Sequence, residues 1–288
     1  MPELPEVEIT ARRLDAGLSD VEVESALAIG MVAVKSIDPP LGAIAGRRVT
    51  GVRRIGKMPL LELSAEGERA APLAMLIHLM SAGRLQLFDK RASLRDRTAR
   101  VLVRLADGRE LRLREFGTKQ RAWAKLMQAD RIDADEMVAT LGPEAWPAPA
   151  PEELAQRVSQ PRHLHPMLRD QRVIAGIGRS WVDEILWEAA LSPFRQGSDL
   201  EDEEVERLHG ALHVLGDAID HYETVIGSQV PDKLPMPLQV HRREGEPCPR
   251  CGATLAAVHF AEHVTTYCPE EQTGGRVLKD RRLSRLLK

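Results

Sequence analysis

Gly142-Pro143-Glu144-Ala145-Trp146-Pro147-Ala148-Pro149-Ala150-Pro151 divides the chain, because it holds four prolines in ten residues. Proline fixes φ and removes a backbone donor, so neither a helix interior nor a central strand tolerates that density. The stretch reads as a linker over 141–151, with a folded unit on each side. Length agrees: 288 residues exceed the usual size of one domain, and each half is long enough to bury a core.

Upstream of the linker the hydrophobic pattern is that of strands. After a first helical stretch, Val7 to Leu18, short alternating β-prone runs recur: Arg48 to Arg53, Leu60 to Leu63, Arg84 to Phe88 and Arg100 to Leu105. The last run ends in a turn at Asp107-Gly108. Residues 1–140 are therefore predicted to form an antiparallel sheet structure with an N-terminal helix. Downstream the period becomes helical, over Pro151 to Val158, a segment near Met167, Ser180 to Ala190, and Ser198 to Tyr222. Ser198 followed three places on by Glu201 suits a capped helix start. This predicts a helical domain over 152–236, a short cysteine-bearing unit over 237–275 and a basic tail over 276–288. The fold class is α+β, multidomain.

The composition is that of a globular protein, 43% hydrophobic and 29% charged, and no apolar run has the length of a membrane span. The start, MPELPEVEITARRL, is acidic where a signal peptide would be basic, so a cytoplasmic location is expected, nucleoid-associated if the source is bacterial. A net charge of −3 argues mildly against a nucleic-acid partner, yet 40 basic side chains can still gather on one face. The tail carries Arg276, Lys279, Arg281, Arg282, Arg285 and Lys288, which read either as such a face or as a solvated helix.

Three cysteines cannot close a disulfide framework, and all lie between Cys248 and Cys268. Their spacing is C-x2-C, sixteen residues, then Cys268-Pro269-Glu270-Glu271. A zinc-ribbon-like finger would end there in a second C-x2-C, and Glu271 stands at the fourth ligand position. One structural Zn2+ on Cys248, Cys251, Cys268 and Glu271 is expected, with His259 or His263 as alternative fourth ligands.

The most specific word is Met1-Pro2-Glu3-Leu4-Pro5-Glu6-Val7-Glu8. Removal of Met1 would expose the secondary amine of Pro2 beside carboxyl groups. An α-amine has a pKa of about 7.7–8.0, which leaves a nucleophilic neutral fraction near neutrality. A helix starting here would lower that value further. The alternative is ordinary helix grammar, proline and acid in a first turn.

This word resembles the start of the formamidopyrimidine-DNA glycosylase and endonuclease VIII family. Three more words agree in order: Arg53-Arg54-Ile55-Gly56-Lys57 to Leu63, like the family's catalytic-lysine strand; Asp170 to Gly178 with Trp181 to Leu186, like its helix-two-turn-helix; and Glu244 to Gly252, like its finger. The resemblance implies a β-sandwich with an N-terminal helix, a helix-two-turn-helix domain and a C-terminal zinc-finger hairpin, with damaged double-stranded DNA between them. It also implies a monomeric base-excision-repair glycosylase and abasic-site lyase. By position, Pro2 would attack the C1′ carbon, Glu3 would protonate the sugar ring oxygen, and Lys57 would hold a phosphate and assist elimination. Glu6 would be a supporting carboxylate.

DNA contacts are implied for His78, Arg114, Phe116, Arg179 and His263. Arg114 and Phe116 would fill the gap left by an everted base, and the Gly176-Ile177-Gly178 turn before Arg179 would clamp phosphate. Several positions depart from the pattern. Arg179 replaces a usual asparagine, His165 a lysine, and His263 an arginine directed at the lesion phosphate, which would make that contact shorter and pH-dependent. Met80 comes one place early, leaving Ser81 at the void-filling position, and on a strand that reverses the face. Arg112 and Glu115 stand where an acidic and a basic residue are common and read as a charge-swapped pair. Retained chemistry with altered lesion choice is expected. The rivals are a divergent protein that binds damaged or abasic DNA, with lyase activity alone or none, and a zinc-ribbon interaction protein.

Overall fold

The computed structural model describes residues 2–30, 32–65, 71–93, 96–260 and 263–278; the basic tail beyond 278 lies outside them. The chain forms two compact units, one of residues 1–140 and 219–234, the other of 141–218 and 235–288.

The first unit begins with helix α1 (Leu4–Leu18) and continues through eight strands: β1 (Val23–Ala28), β2 (Val49–Ile55), β3 (Met58–Leu63), β4 (Leu73–His78), β5 (Gly83–Phe88), β6 (Ala99–Leu105), β7 (Glu110–Glu115) and β8 (Trp123–Gln128). They build two four-stranded sheets, ordered β1-β6-β7-β5 and β2-β3-β4-β8, with antiparallel pairs throughout. This is a β-sandwich. Leu61, Leu63, Met75 and Ile77 from one sheet meet Val101, Val103, Leu111 and Leu113 from the other in a dry core. Burying each such side chain is worth about 1.5–3 kcal/mol, and the alternation along each strand is what aims them inward.

Helix α1 presents two apolar faces. Val7, Ala11, Leu14 and Leu18, at helical spacing, join the sandwich core. Ile9 turns instead to Tyr222, Ile226 and Val230 of the returning segment. Arg13 fastens the same face, pairing with Glu223 at 2.5 Å and donating to the carbonyl oxygens of Glu223 and Ile226. This is why residues 219–234 fold with the first unit and not with the helical half.

The second unit contains α2 (Pro151–Val158), α3 (Leu164–Leu168), α4 (Arg179–Glu188), α5 (Asp202–Ala211), the start of α6 (His213–Val225), the hairpin β9 (Ala256–His259) and β10 (Val264–Tyr267), and α7 (Pro269–Thr273). The single helix predicted from Ser198 is thus two, and its cap is Glu201, in a reciprocal box with Glu204; Ser198 lies in a preceding 3-10 turn. The proline-rich stretch is not a free linker. Ala145 is fully buried, its N–H donates to the Ala175 carbonyl, and a Cβ on Gly216 would come within 2.3 Å of the Trp146 ring. Apolar and aromatic side chains between the prolines make it a wall of the second unit.

Candidate active site and metal centre

Glu3 is the N-cap of α1, and Glu6, three places on, closes a capping box with it: the Glu3 backbone N–H donates to Glu6 Oε2 at 2.9 Å. The other Glu6 oxygen accepts from the Tyr222 hydroxyl at 2.8 Å. Both carboxylates are buried, at 2% and 4% exposure, while the neighbouring Pro2 is half-buried and open to solvent. Burial, then the Glu6 and Glu3 charges, hold the Tyr222 phenol far above its ordinary pKa, so it stays a donor. Tyr222 was missed from the sequence, since nothing local marks a helical tyrosine more than two hundred residues away.

Lys57 is in the two-residue turn joining β2 to β3, where Ile55 faces Met58, and not on a continuous strand as the reading of 53–63 had it. The turn is made by Gly56, at φ +55° in the left-handed region. Arg54, nearly buried, fixes it to α1 by donating to Glu8 Oε2 at 3.1 Å and to the Gly56 carbonyl at 2.9 Å.

His78 ends β4 opposite Trp123 of β8 and stacks on its ring at 5.5 Å. The Met80 N–H donates to His78 Nδ1 at 3.0 Å, so a neutral ring presents its proton on Nε2. Burial, then the positive charges of Lys35 and Lys57, push the imidazole below its ordinary pKa. Lys35, also missed, sits 4.2 Å over the Trp123 ring and is pinned by its backbone N–H to the Ala124 carbonyl. A bridge between Val34 and Ala124 brings it there, a pairing no local pattern announces.

Met80 lies outside the strands, so its one-place shift does not reverse a face. Residues 79–82 form a turn between β4 and β5, with Met80 at φ +50° packed on the core and Ser81 exposed. Gly83 closes that turn because any Cβ there would lie 2.2 Å from the Leu79 carbonyl oxygen. Nor are Arg112 and Glu115 a pair: three places apart on β7, they point to opposite faces. Arg112 bonds Glu110 at 2.7 Å and covers Phe88, whereas Glu115 accepts the N–H groups of Arg121 and Ala122. Arg114 stacks 4.7 Å from the Phe116 ring centroid and donates to Gln86 and, at 3.0 Å, to Asp232.

In the second unit, Gly176 at φ +104° and Gly178 as N-cap start α4, leaving Arg179 exposed at its first position. His263 stacks on Phe260 at 4.5 Å and parallel to His165 at 6.0 Å. Burial, then Arg169, His165 and Arg179, lower its pKa, against an opposite pull from Asp183. Arg169, which the sequence reading had missed, and Arg179 thus lie near the His263 ring. His165 lies 3.2 Å from buried Asp183, whose other oxygen meets His241 at 2.6 Å.

The thiols of Cys248, Cys251 and Cys268 gather within 4.8 Å of one another, the one set of three or more metal-ligating side chains so grouped among the described residues. Zn–S bonds of about 2.3 Å require sulfur separations of about 3.8 Å, so the three fit one zinc ion. Backbone N–H groups of Cys251 and Arg250 are directed at Cys248 and that of Glu271 at Cys268. Burial pushes the Cys268 thiol up to about 12. The Glu271 carboxylate lies outside this group and pairs with Arg250. His259 is bound to Glu244.

Comparison with known proteins matches residues 1–119 to the formamidopyrimidine-DNA glycosylase N-terminal domain, 141–229 to the H2TH domain of that glycosylase, and 245–270 to a zinc finger found in FPG and IleRS. The formamidopyrimidine-DNA glycosylase of Roseiflexus sp. is 35% identical, over 94% of this chain and all of its own length. That of Chloroflexus aurantiacus is 33% identical, over 93% of this chain and 96% of its own. Among solved structures, the Lactococcus lactis Fpg (MutM) bound to N7-benzyl-Fapy-dG DNA superposes with a TM-score of 0.81 at 24% identity, covering 94% of this chain and 100% of that one. At that identity the likeness speaks for the fold.

Proposed function

The chain belongs to the formamidopyrimidine-DNA glycosylase family, and from that premise we propose that the Pro2 nitrogen, freed by removal of Met1, is the nucleophile of its base-excision-repair glycosylase and abasic-site lyase activity. The observation that carries this reading is a half-buried Pro2 next to two buried carboxylates, one of them held by Tyr222.

The Pro2 lone pair attacks C1′ of the damaged nucleotide, the C1′–base bond breaks, and the base leaves with the bonding pair and takes up a proton. Glu3 protonates O4′ as the C1′–O4′ bond opens, giving an iminium between C1′ and Pro2. The cation acidifies the C2′ proton. Loss of that proton expels the 3′ phosphate, and water returns the free amine. Glu6, held by the Glu3 N–H and Tyr222, orients the start of α1. Lys57 and the Nε2–H of His78 hold the anionic backbone beside the reacting sugar, with Lys35 adding charge.

The partner is damaged duplex DNA, the ligand class named in the solved Lactococcus lactis complexes. Arg114 and Phe116 of the first unit would enter the base stack; Asp232, 56% exposed, makes a surface ion pair that Arg114 can exchange cheaply. Arg179 and His263 of the second unit would contact phosphate. Zinc on Cys248, Cys251 and Cys268 would cross-link the finger and enters no step of the reaction. A cytoplasmic, nucleoid-associated monomer goes with this reading. Among the described residues no helix is long and apolar enough to cross a membrane.

Borohydride trapping on duplexes carrying an abasic site, an oxidised purine or an oxidised pyrimidine tests it, with Pro2→Gly as control. An adduct on a modified base, lost in the variant, is the expected result. An adduct on the abasic site alone would reduce the protein to a lyase, the second reading, which Ser81 at the void-filling position and His263 in the finger favour. No adduct anywhere, with the Pro2 amine free, would overturn both.

A further inference from the structure

We infer that the metal of this finger is held by three thiolates, that Glu271 is not its fourth ligand, and that the fourth coordination position is open to an exogenous donor. Glu271 stands two residues after Pro269, where the spacing calls for a ligand, but its carboxylate is already committed. Arg250 Nε donates to Glu271 Oε2 at 2.8 Å, and a terminal guanidinium nitrogen lies 2.6 Å from the same oxygen.

That guanidinium is itself fixed from the opposite side. It lies 3.9 Å from the Trp187 ring centroid, donates to the Trp187 carbonyl oxygen, and reaches Glu188 at 3.4 Å. The Trp187 indole N–H donates to Cys248 Sγ at 3.4 Å, so the ion pair and the thiol cluster share one support. What Glu271 offers the cluster is its backbone N–H, directed at Cys268.

Among the described residues no other Cys, His, Asp or Glu groups with the three thiols, His263 and Glu270 included, and several are engaged elsewhere. His259 is 2.9 Å from Glu244, His241 is 2.6 Å from Asp183, and Glu246 is 2.8 Å from Arg243. Gln272, next to Glu271, accepts the Cys268 N–H through Oε1 and donates from Nε2 to the Leu191 carbonyl, both at 2.8 Å. The turn after Cys268 is thus tied down without a fourth ligand. Zinc seeks four donors, and structural sites close with protein ligands. With three thiolates and a committed carboxylate, water or a small thiol completes the shell here. The Arg250–Glu271 pair takes over the anchoring that a fourth cysteine would supply.

The test replaces zinc by Co2+ in the full chain and follows the thiolate-to-cobalt and d–d absorption. Glu271→Gln is expected to keep one metal per chain and an unchanged spectrum, because a non-ligand is being altered. Added 2-mercaptoethanol is expected to shift the bands of the native chain and of Glu271→Gln, whereas Glu271→Cys is expected to raise the thiolate-to-cobalt intensity by about a third, from three thiolates to four, and to lose the response. A spectrum or metal stoichiometry altered in Glu271→Gln, or a native spectrum indifferent to added thiol, overturns the inference. Glu271→Gln and the thiol titration decide the matter even where Glu271→Cys fails to fold, and borohydride trapping is read independently of all three.

Discussion

At the scale of single residues, the site depends on hydrogen bonds that the local sequence does not announce. Tyr222 donates to a buried Glu6 oxygen, so Tyr222→Phe removes that hydrogen bond to a carboxylate, a cost of about 1–3 kcal/mol. A lowered Tm and slower adduct formation are expected, with zinc content unchanged; unchanged trapping kinetics would remove Tyr222 from the site. His78 carries a second expectation. Its depressed pKa means that the folded chain resists protonation, so the stability this group contributes is present above the ordinary imidazole pKa and is lost as pH falls below it. Lys35→Met removes one of the two nearby cations, and the His78 midpoint, followed by NMR, is expected to rise. A midpoint that stays put would remove Lys35 from the causes and leave burial and Lys57. Pro2, Glu3 and Lys57 could be proposed from sequence because they sit in dense local words; Tyr222, Lys35 and Trp123 could not, because each arrives through a long-range pairing.

At the scale of elements, caps and turns place the chemistry. The Glu3/Glu6 box that starts α1 follows from three-residue spacing, readable without a structure. The β2–β3 turn was harder, since it lies inside the word Arg53 to Leu63, which resembles one catalytic-lysine strand, and only Gly56 marks the break. Gly56→Ala forces a side chain into the left-handed region at a cost of about 1–2 kcal/mol. The sheets are expected to persist by circular dichroism while trapping slows, because Lys57 is displaced. Full activity in a stably folded variant would show that the turn tolerates the change. Strand periodicity also settles Arg112 and Glu115: an interval of three reverses the face, so charge complementarity between them was an illusion of the linear sequence.

At the scale of the whole molecule, two units with separate cores should respond separately when one is weakened. Removing the metal with a chelator is expected to speed amide exchange over 240–272, where Cys248 and Cys268 pack with Trp187, Val240 and Leu255. Strands β4 and β6 of the first unit are expected to keep their protection. Loss of protection in both at once would mean that the units unfold together.

The sequence by itself determined the order of the parts: strands then helices, the proline- and glutamate-rich first word, and the cysteine spacing. Those are local, set by period, proline density and short-range ligand geometry. Only the tertiary structure decided that residues 219–234 return to the first unit, because the second face of α1 needs Ile226 and Val230 to bury it. It alone decided that Glu271 meets Arg250 and not the thiols, because the partner of a charged side chain is chosen by what lies within a few ångströms in space, and spacing along the chain does not fix that.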